Sequence, residues 1–532
     1  MTNRTKKNAT RIAKTSKTSM AKGSVHIMNP DTFKDISINN FASMALKIYG
    51  SYVVEERAIP EHRDGLKPVH RALLWAMQQL NLTYTAKTRK SAKVVGDTIG
   101  SYHPHGDGAC YDAMVTLANA SPKLVRGEGN WGSPVDGAAA YRYTEARLSV
   151  FSKLFLLDSG YLNVVPMQQN FDNTAMMPVH LPALLPVMLM MGNPTAPAYG
   201  VRAGNPPFAI EGIVKLLRGG LRGKAITEKA CIKNLEVHYP YGSIDVTSAD
   251  DFAELIKTGR GSMAFTPVIS ATWEHKNKDA AKKISIQSYS PGFRGASVVK
   301  QLEKINALDS VQRAYDRTGK KDKYGRSGPY GCLYIVEPKR GISEDKFFEL
   351  AEKVEKILTT KEHFDLGCTH KHIDKVTFER PNVPQFINTW IKYRIKLEID
   401  YIDYLIKEAT RKLDYQELLL FAVDNRDLIL KVLPKVLKAK EPDAALSKAI
   451  KKPVEYAKRI LDLQIRRLAS LERSAIVKTI KELKAEIKSL AKERKSPNAR
   501  IEADLVERVK KYKALSPKYD FNAKTKTQKM KK

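Results

Sequence analysis

Apolar residues recur at helical spacing over residues 39–54, at Phe41, Met44, Ala45, Ile48, Tyr49 and Tyr52, and predict a helix with Arg57 at its end. Pro60 and the Asp64-Gly65 turn break the chain. Lys67-Pro68 then opens a second helix, since proline suits a first turn, with Leu73, Leu74 and Met77 facing inward. Residues 92–99 read as a short helix stopped by Gly100, and Asp107 as the cap of another over residues 108–118. Two short helices about a glycine-containing turn predict a helix-turn-helix. Between Val164 and Phe378 prolines and glycines multiply, and residues 284–289 and 332–336 alternate like strands, so a mixed α/β region is expected. From Pro384 the pattern is helical. Ile387, Ile391, Ile395, Ile402, Leu405, Ala409 and Leu413 mark a stripe on a helix of about 35–40 residues, roughly 55–60 Å long. Ile476, Ile480, Leu483, Ile487 and Leu490 step 4-3-4-3, a heptad seam. Pro497 interrupts it before Ile501, Leu505, Val509 and Tyr512 resume, and antiparallel pairing of the long helices is the simple solution.

Charge changes the picture from a generic multidomain chain to one with a polyanionic partner. Among 532 residues, 90 Lys and Arg face 57 acids, a net charge of +33, more than solubility requires. Residues 1–24 carry seven of these cations and no acid, and read as a disordered tail or a DNA-binding arm. No apolar run approaches the ~18 residues of a membrane span, and no apolar leader follows Met1, so a cytoplasmic protein is expected. Cys110, Cys231, Cys332 and Cys368 are scattered and read as reduced thiols rather than disulfides or a zinc site.

Candidate chemistry centres on Arg142-Tyr143. A tyrosine that attacks a phosphodiester must lose its phenolic proton, and the phosphate charge must be offset; an adjacent guanidinium offers a fork of donors for phosphate oxygens. Spacing alone does not choose between Tyr141 and Tyr143. Lys67, His70 and Arg71 fall at i, i+3 and i+4, one face of a helix start, and predict a phosphate clamp. Residues 87–93, with Lys90 and Lys93, form another basic cluster. His103-Pro104-His105 reads as a pair that donates to phosphate or modulates the tyrosine rather than a metal pair, because no further ligands follow at suitable spacing. Residues 127–132 match GxGxxG formally, but no clear strand precedes them and Ser133-Pro134 follows, so they read as a tight loop ahead of the small residues 137–140.

The runs RDGLKPVHR (residues 63–71), SAKVVGDTIGSYHPHGD (91–107) and AAAYRYTEARLS (138–149), in this order, closely resemble the DNA breakage-reunion subunit of type IIA DNA topoisomerases, over roughly residues 37–514. The resemblance implies that Tyr143 is the nucleophile, that Arg142, His105 and Arg57 stabilise the transition state, and that Lys67 and His70 hold DNA near the break; from the basic and histidine clusters, Arg71, His103, Lys90 and Lys93 are expected to bind DNA with them, and no metal is expected among these residues. Pro197 aligns with a wedge that unstacks a base step, and Arg260 and Arg294 fall in the region that braces bent DNA. The implied fold is α+β and multidomain: a winged-helix (helix-turn-helix) DNA-cleavage domain over residues 27–163, a mixed α/β tower domain over 164–378, and a long antiparallel coiled coil ending in a helical dimer gate over 379–515, flanked by disordered basic tails at 1–26 and 516–532. Residues 460–471 resemble the dimer contact of that gate.

The implied activity is that of the DNA-cleaving and religating subunit of an ATP-dependent type II topoisomerase, working as a homodimer on double-stranded DNA. The sequence carries no GxxxxGK[ST] loop, and Glu398, Asp400 and Asp403 would be splayed around a helix. No metal site is expected in this chain; Mg²⁺ and ATP are expected on a partner ATPase/metal-binding subunit. The short form most resembles the medium subunit of T-even bacteriophage topoisomerase, which would place it in a host-cell cytoplasm, and wrapping-driven supercoiling is not expected. A tyrosine recombinase or nicking enzyme, or a non-enzymatic architectural DNA-binding coiled-coil protein, are the alternatives. Neither explains both the heptad seam and the three motif runs.

Overall fold

The Ser37 hydroxyl accepts the Asn40 N–H and starts helix α1 (Ile38–Val53). The structure, a computed structural model, describes residues 37–132, 137–192, 196–239, 242–273, 282–288, 290–291, 295–305, 308–313, 334–372, 375–462 and 472–519; Arg294, the tail at 1–26, residues 520–532 of the other tail and most of 460–471 lie outside them. The apolar face predicted for α1 is not packed inward: Phe41, Ile48, Tyr49 and Tyr52 are exposed, and only Gly50 and Val53 are buried. Its C-terminal end alone is docked. It runs into a π turn, Val54–Ala58, that carries Arg57.

A loop then leads to α2 (Pro68–Gln79). Gly65 has φ +69°, and a Cβ there would lie 2.2 Å from the Met188 nitrogen, so the Asp64-Gly65 turn admits only glycine. Strand β1 (Arg89–Lys90), α3 (Ser91–Ser101), α4 (Asp107–Asn119), β2 (Val125–Glu128) and β3 (Glu145–Leu148) follow. They give the expected helix pair and an antiparallel sheet of order β1-β3-β2. Two details differ from the pattern reading. A strand, β2, does enter the glycine loop, because Gly127 must lie flat under Trp131: a Cβ would meet its ring at 2.2 Å. Asp107 is the first residue of α4 and Gly106 its N-cap.

Helix α5 (Val150–Phe155), the hairpin β4 (Met167–Gln169)–β5 (Met176–Pro178), and the buried turn α6 (Met188–Met191) lead to the hairpin β6 (Ala196–Ala198)–β7 (Val201–Ala203), where Pro197 pairs with Arg202. Helices α7 (Ile210–Leu221) and α8 (Glu228–Asn234) then precede β8 (Ile244–Asp245), α9 (Ala249–Thr258) and β9 (Arg260–Thr266). The mixed α/β expectation holds beyond them. β10 (Ile269–Thr272), β11 (Lys283–Ile286), α10 (Gly295–Leu302), β12 (Leu308–Arg313), β13 (Tyr334–Pro338) and α11 (Glu344–Leu358) build an antiparallel sheet of order β10-β11-β13-β12. Its own core holds Ile284, Val336, Phe347 and Val354. Strand β14 (Thr360–Asp365) returns to β9, and β15 (Cys368–Lys371) pairs with β16 (Val376–Glu379).

Helix α12 (Val383–Asp424) is 42 residues long, about 63 Å at 1.5 Å per residue. Asn382 and Gln385 form a reciprocal capping box, with Pro384 in the first turn. Three small helices, α13 (Arg426–Val436), α14 (Pro442–Ile450) and α15 (Val454–Leu461), cluster at its far end on Leu418, Ala422, Leu446 and Ile460. The chain returns as α16 (Arg473–Lys495) and α17 (Asn498–Tyr519), parted at Pro497 as the pattern predicts. Ion pairs Arg473–Asp424 (2.7 Å), Lys484–Glu417 (2.8 Å) and Arg494–Asp403 run in opposite sequence order, so α12 and α16 are antiparallel. Ile476 and Leu490 of the heptad seam are buried. The base of α12 and α17 join the core of the N-terminal region, where Trp390, Ile501 and Tyr512 pack with Phe151 and Phe155. Helix α17 runs to Tyr519, past the expected start of the tail.

The loop before α2 is the junction of these parts. Pro60 O accepts Thr369 N–H at 2.9 Å, Trp390 Nε1 donates to Arg63 O at 3.0 Å, and Leu181 N donates to Asp64 at 2.8 Å. Three histidines are buried around it. Burial, more than any charge nearby, pushes His62 and His180 down to about 4 and His70 to about 3. Above pH ~6.5 neither folded nor unfolded chain protonates them. Below it the unfolded chain takes up protons that the folded chain refuses. Stability therefore falls with falling pH, by up to about 1.4 kcal/mol per histidine per pH unit, until the folded values near 3–4 are reached. Urea midpoints should be clearly lower at pH 5 than at pH 7. Equal midpoints would mean that these rings take up protons without unfolding.

Candidate active site

The tyrosine segment is held from behind by buried hydroxyls. Ser91 N, at the start of α3, donates to Thr144 O at 2.9 Å, and Thr144 Oγ1 donates to Ser91 Oγ at 2.8 Å. The Tyr111 hydroxyl, on α4, donates to Ala139 O at 2.7 Å and lies 2.9 Å from Thr144 Oγ1. Tyr143 N donates to Ala140 O at 2.8 Å, closing a tight turn that throws residues 141–143 outward.

The two tyrosines meet different electrostatics. The Tyr141 hydroxyl donates to Asp107 Oδ2 at 2.8 Å, and this bond, followed by the carboxylate's charge, raises its pKa. Tyr143 is 65% exposed with the Arg142 guanidinium 4.8 Å from its ring centroid. Hydrogen bonding by Arg142 and then its charge hold the Tyr143 phenol below its ordinary value.

A second cluster forms where α1 and α2 meet the β6–β7 hairpin. Arg57 and Lys67 line an open cleft of about 510 Å³ with Tyr49, Val53, Ala58, Ala198 and Tyr199. Burial lowers the Lys67 pKa. The His103 and His105 rings lie 4.5 Å apart. Burial, then His105 and Arg57, push His103 down to about 4, so it is a neutral hydrogen-bonding group. His105 Nε2 is 3.0 Å from the Tyr52 hydroxyl. Among the described residues, no hydrogen bond or ring contact joins Tyr143 to Arg57 or His105, although the Tyr141 bond to Asp107 ties the same turn to the start of α4.

The shared basic face at the start of α2 is corrected by the structure. Arg71 is 2% exposed, with Nε and Nη2 on the Asp64 carboxylate at 2.7 and 3.1 Å and Nη2 also on Leu66 O at 3.2 Å. His70 is 5% exposed and neutral. The i, i+3, i+4 spacing does place them together, but on the side that Asp64 draws inward; of the three, Lys67 alone lines the cleft. Lys90 and Lys93 are exposed, paired with Glu145 (2.9 Å) and Asp97 (2.5 Å). Arg260 lines another open cleft, of about 750 Å³, with Arg202, His363 and Arg380. Arg260 and Arg380 share Asp365 at 3.2 and 3.7 Å. Sequence reasoning placed Tyr49 and Tyr52 only on the stripe of a helix and passed over Tyr111, Tyr199 and Arg202, since no local pattern marks a tyrosine whose partner is 53 residues away.

The family model for the A-type subunit of DNA gyrase/topoisomerase IV matches residues 57–506. The chain is 29% identical over 511 residues to the A-type subunit of DNA topoisomerase 4 from Haemophilus influenzae, covering 91% of this chain and 63% of that protein. It is 30% identical over 491 residues to the corresponding DNA topoisomerase 4 protein of Escherichia coli K12, covering 88% and 61%. Against the A-type subunit of DNA gyrase from Kosmotoga olearia it is 29% identical over 467 residues, covering 86% and 55%. The chain thus spans less than two thirds of the length of these relatives. With 450 of its residues inside one family match, and the Arg-Tyr turn and the His-Pro-His loop both within it, the chain belongs to the family of A-type subunits of DNA gyrase and topoisomerase IV.

Proposed function

We propose that this chain is the DNA-cleaving and religating subunit of a type II topoisomerase, with Tyr143 as its nucleophile. The observation that carries the reading is the contrast between the two tyrosines of one turn: Tyr141 is engaged by a carboxylate, whereas Tyr143 is exposed and eased toward its phenolate by Arg142. Tyr143 Oη attacks phosphorus, the phenolic proton leaves, and the P–O3′ bond breaks as the 3′ oxygen takes up a proton. The product is a 5′-phosphotyrosyl end. The 3′ hydroxyl reverses the step and reseals the strand without an energy source, because the ester bond is conserved. Arg142 offsets phosphate charge beside the nucleophile, and Arg57, Lys67, His103 and His105 form a donor surface for the same backbone. The site is read as completed in a homodimer astride one duplex, as the family resemblance implies.

Asp107 and Glu145, the carboxylates of the tyrosine segment, are engaged by Tyr141 and by Lys90 and Thr88. Among the described residues no group of three or more His, Cys, Asp or Glu side chains is placed to hold a metal. Mg²⁺ and ATP are assigned to a partner subunit, as the family resemblance implies, and every step above uses this chain's own groups. We assign α3, α4 and the β1-β3-β2 sheet to a winged-helix unit, residues 164–378 to a tower, and α12 with α16 to a coiled coil that leads to an exit gate. Pro197, opposite Arg202 on the β6–β7 hairpin, is the candidate wedge.

The test mixes the chain with supercoiled DNA, Mg²⁺ and its ATPase partner, quenches with detergent and maps the adduct by peptide mass. A 5′ adduct on Tyr143 with double-strand breaks is expected; a 3′ linkage would point to recombinase chemistry instead. DNA affinity should fall steeply and linearly on a log–log plot against salt, with a slope of roughly −0.9 per phosphate contacted. A flat salt response would refute a broad phosphate footprint.

A further inference from the structure

Tyr52 belongs to none of the motif runs, yet its hydroxyl is 3.0 Å from His105 Nε2. A neutral imidazole carries one ring proton, and its other nitrogen is an acceptor far more basic than a phenol oxygen. The favourable polarity is therefore phenol to imidazole, which places the ring proton on Nδ1. His105 is exposed, and Nδ1 has no hydrogen-bond partner among the described residues. Resting on the function proposed above, we infer that Tyr52 is a positioning residue that locks His105 as its Nδ1–H tautomer, so that the neutral ring donates a hydrogen bond to the phosphate.

His103, its ring 4.5 Å away, is neutral, and Arg57 adds positive charge on the same side. The carboxylate at the start of the following helix, Asp107, is engaged by Tyr141. The Tyr52 ring is part-exposed and stacks on Tyr49 at 6.5 Å, a contact that phenylalanine preserves, so Tyr52→Phe removes the hydroxyl and leaves the helix intact. Without that hydroxyl the ring proton is free to move to Nε2. His105 then presents an acceptor toward phosphate.

The experiment has two arms on the full chain. In the first, histidine is labelled with ¹⁵N in the ring, and the His105 signals are assigned by their loss in His105→Gln. The wild type is expected to show protonated Nδ1 and bare Nε2 at pH 8, and Tyr52→Phe a shift toward protonated Nε2. A wild type already dominated by Nε2–H overturns the inference, whatever the chain's activity. In the second arm, the single-turnover rate of covalent adduct formation is measured with the ATPase partner at pH 8. Tyr52→Phe is expected to be slower by roughly tenfold. A variant equal to the wild type overturns the positioning role. Absence of any adduct from the wild type would instead count against the proposed function and leave the first arm to decide the tautomer.

Discussion

Tyr143→Phe abolishes covalent adduct formation, a fall of about 10⁴-fold or more, while DNA affinity and the unfolding midpoint stay at wild-type values. The substitution removes one oxygen from a side chain that is 65% exposed, so no packed surface changes. The cations proposed to bind phosphate are untouched. Tyr141→Phe is the control: it removes the bond to Asp107 but keeps the nucleophile, and cleavage should persist. Arg142→Gln completes the set. Arg142 holds the phenol below its ordinary pKa, so the phenolate fraction at a given pH is larger in its presence. Without it cleavage slows, and its rise with pH moves to higher pH. Adduct formation over a pH series measures all three. Full cleavage by Tyr143→Phe would move the nucleophile elsewhere.

Arg71→Ala should unfold the chain rather than merely weaken its grip on DNA. Its guanidinium makes two bonds to the buried Asp64 carboxylate and one to Leu66 O. That carboxylate also accepts Leu66 N at 3.0 Å and Leu181 N at 2.8 Å, tying the α2 turn to a separate part of the core. Removing one partner of a buried pair leaves an uncompensated charge and costs about 3–5 kcal/mol. Asp64→Asn, which strands Arg71, should cost a similar amount. Lysine cannot reproduce the two-pronged geometry and should rescue only part of the loss. Denaturant titration of the wild type and the three variants measures this. If Arg71→Ala keeps the wild-type midpoint and loses only DNA affinity, Arg71 turns outward to phosphate after all.

The same segment marks the border between what the linear pattern determines and what it leaves open. Periodicity acts through neighbours three and four residues apart, so it determined the helix that Pro68 opens, the Ile476–Leu490 seam and the break at Pro497. The order of the motif runs determined the family. Which side of a helix is buried depends on groups far along the chain. Asp64 and the backbone near Leu181 turned Arg71 inward, whereas α1, patterned like a core helix, found little to pack against. Spacing could not separate Tyr141 from Tyr143, and the family resemblance alone favoured Tyr143; the tertiary structure added a physical difference, because Asp107 at the start of another helix engages one and Arg142, next in the chain, the other. Tyr52 and His105 likewise meet only because the end of α1 lies beside the His-Pro-His loop. Local chemistry proposed the reactive groups. Long-range packing decided their exposure and partners, and with these their ionisation.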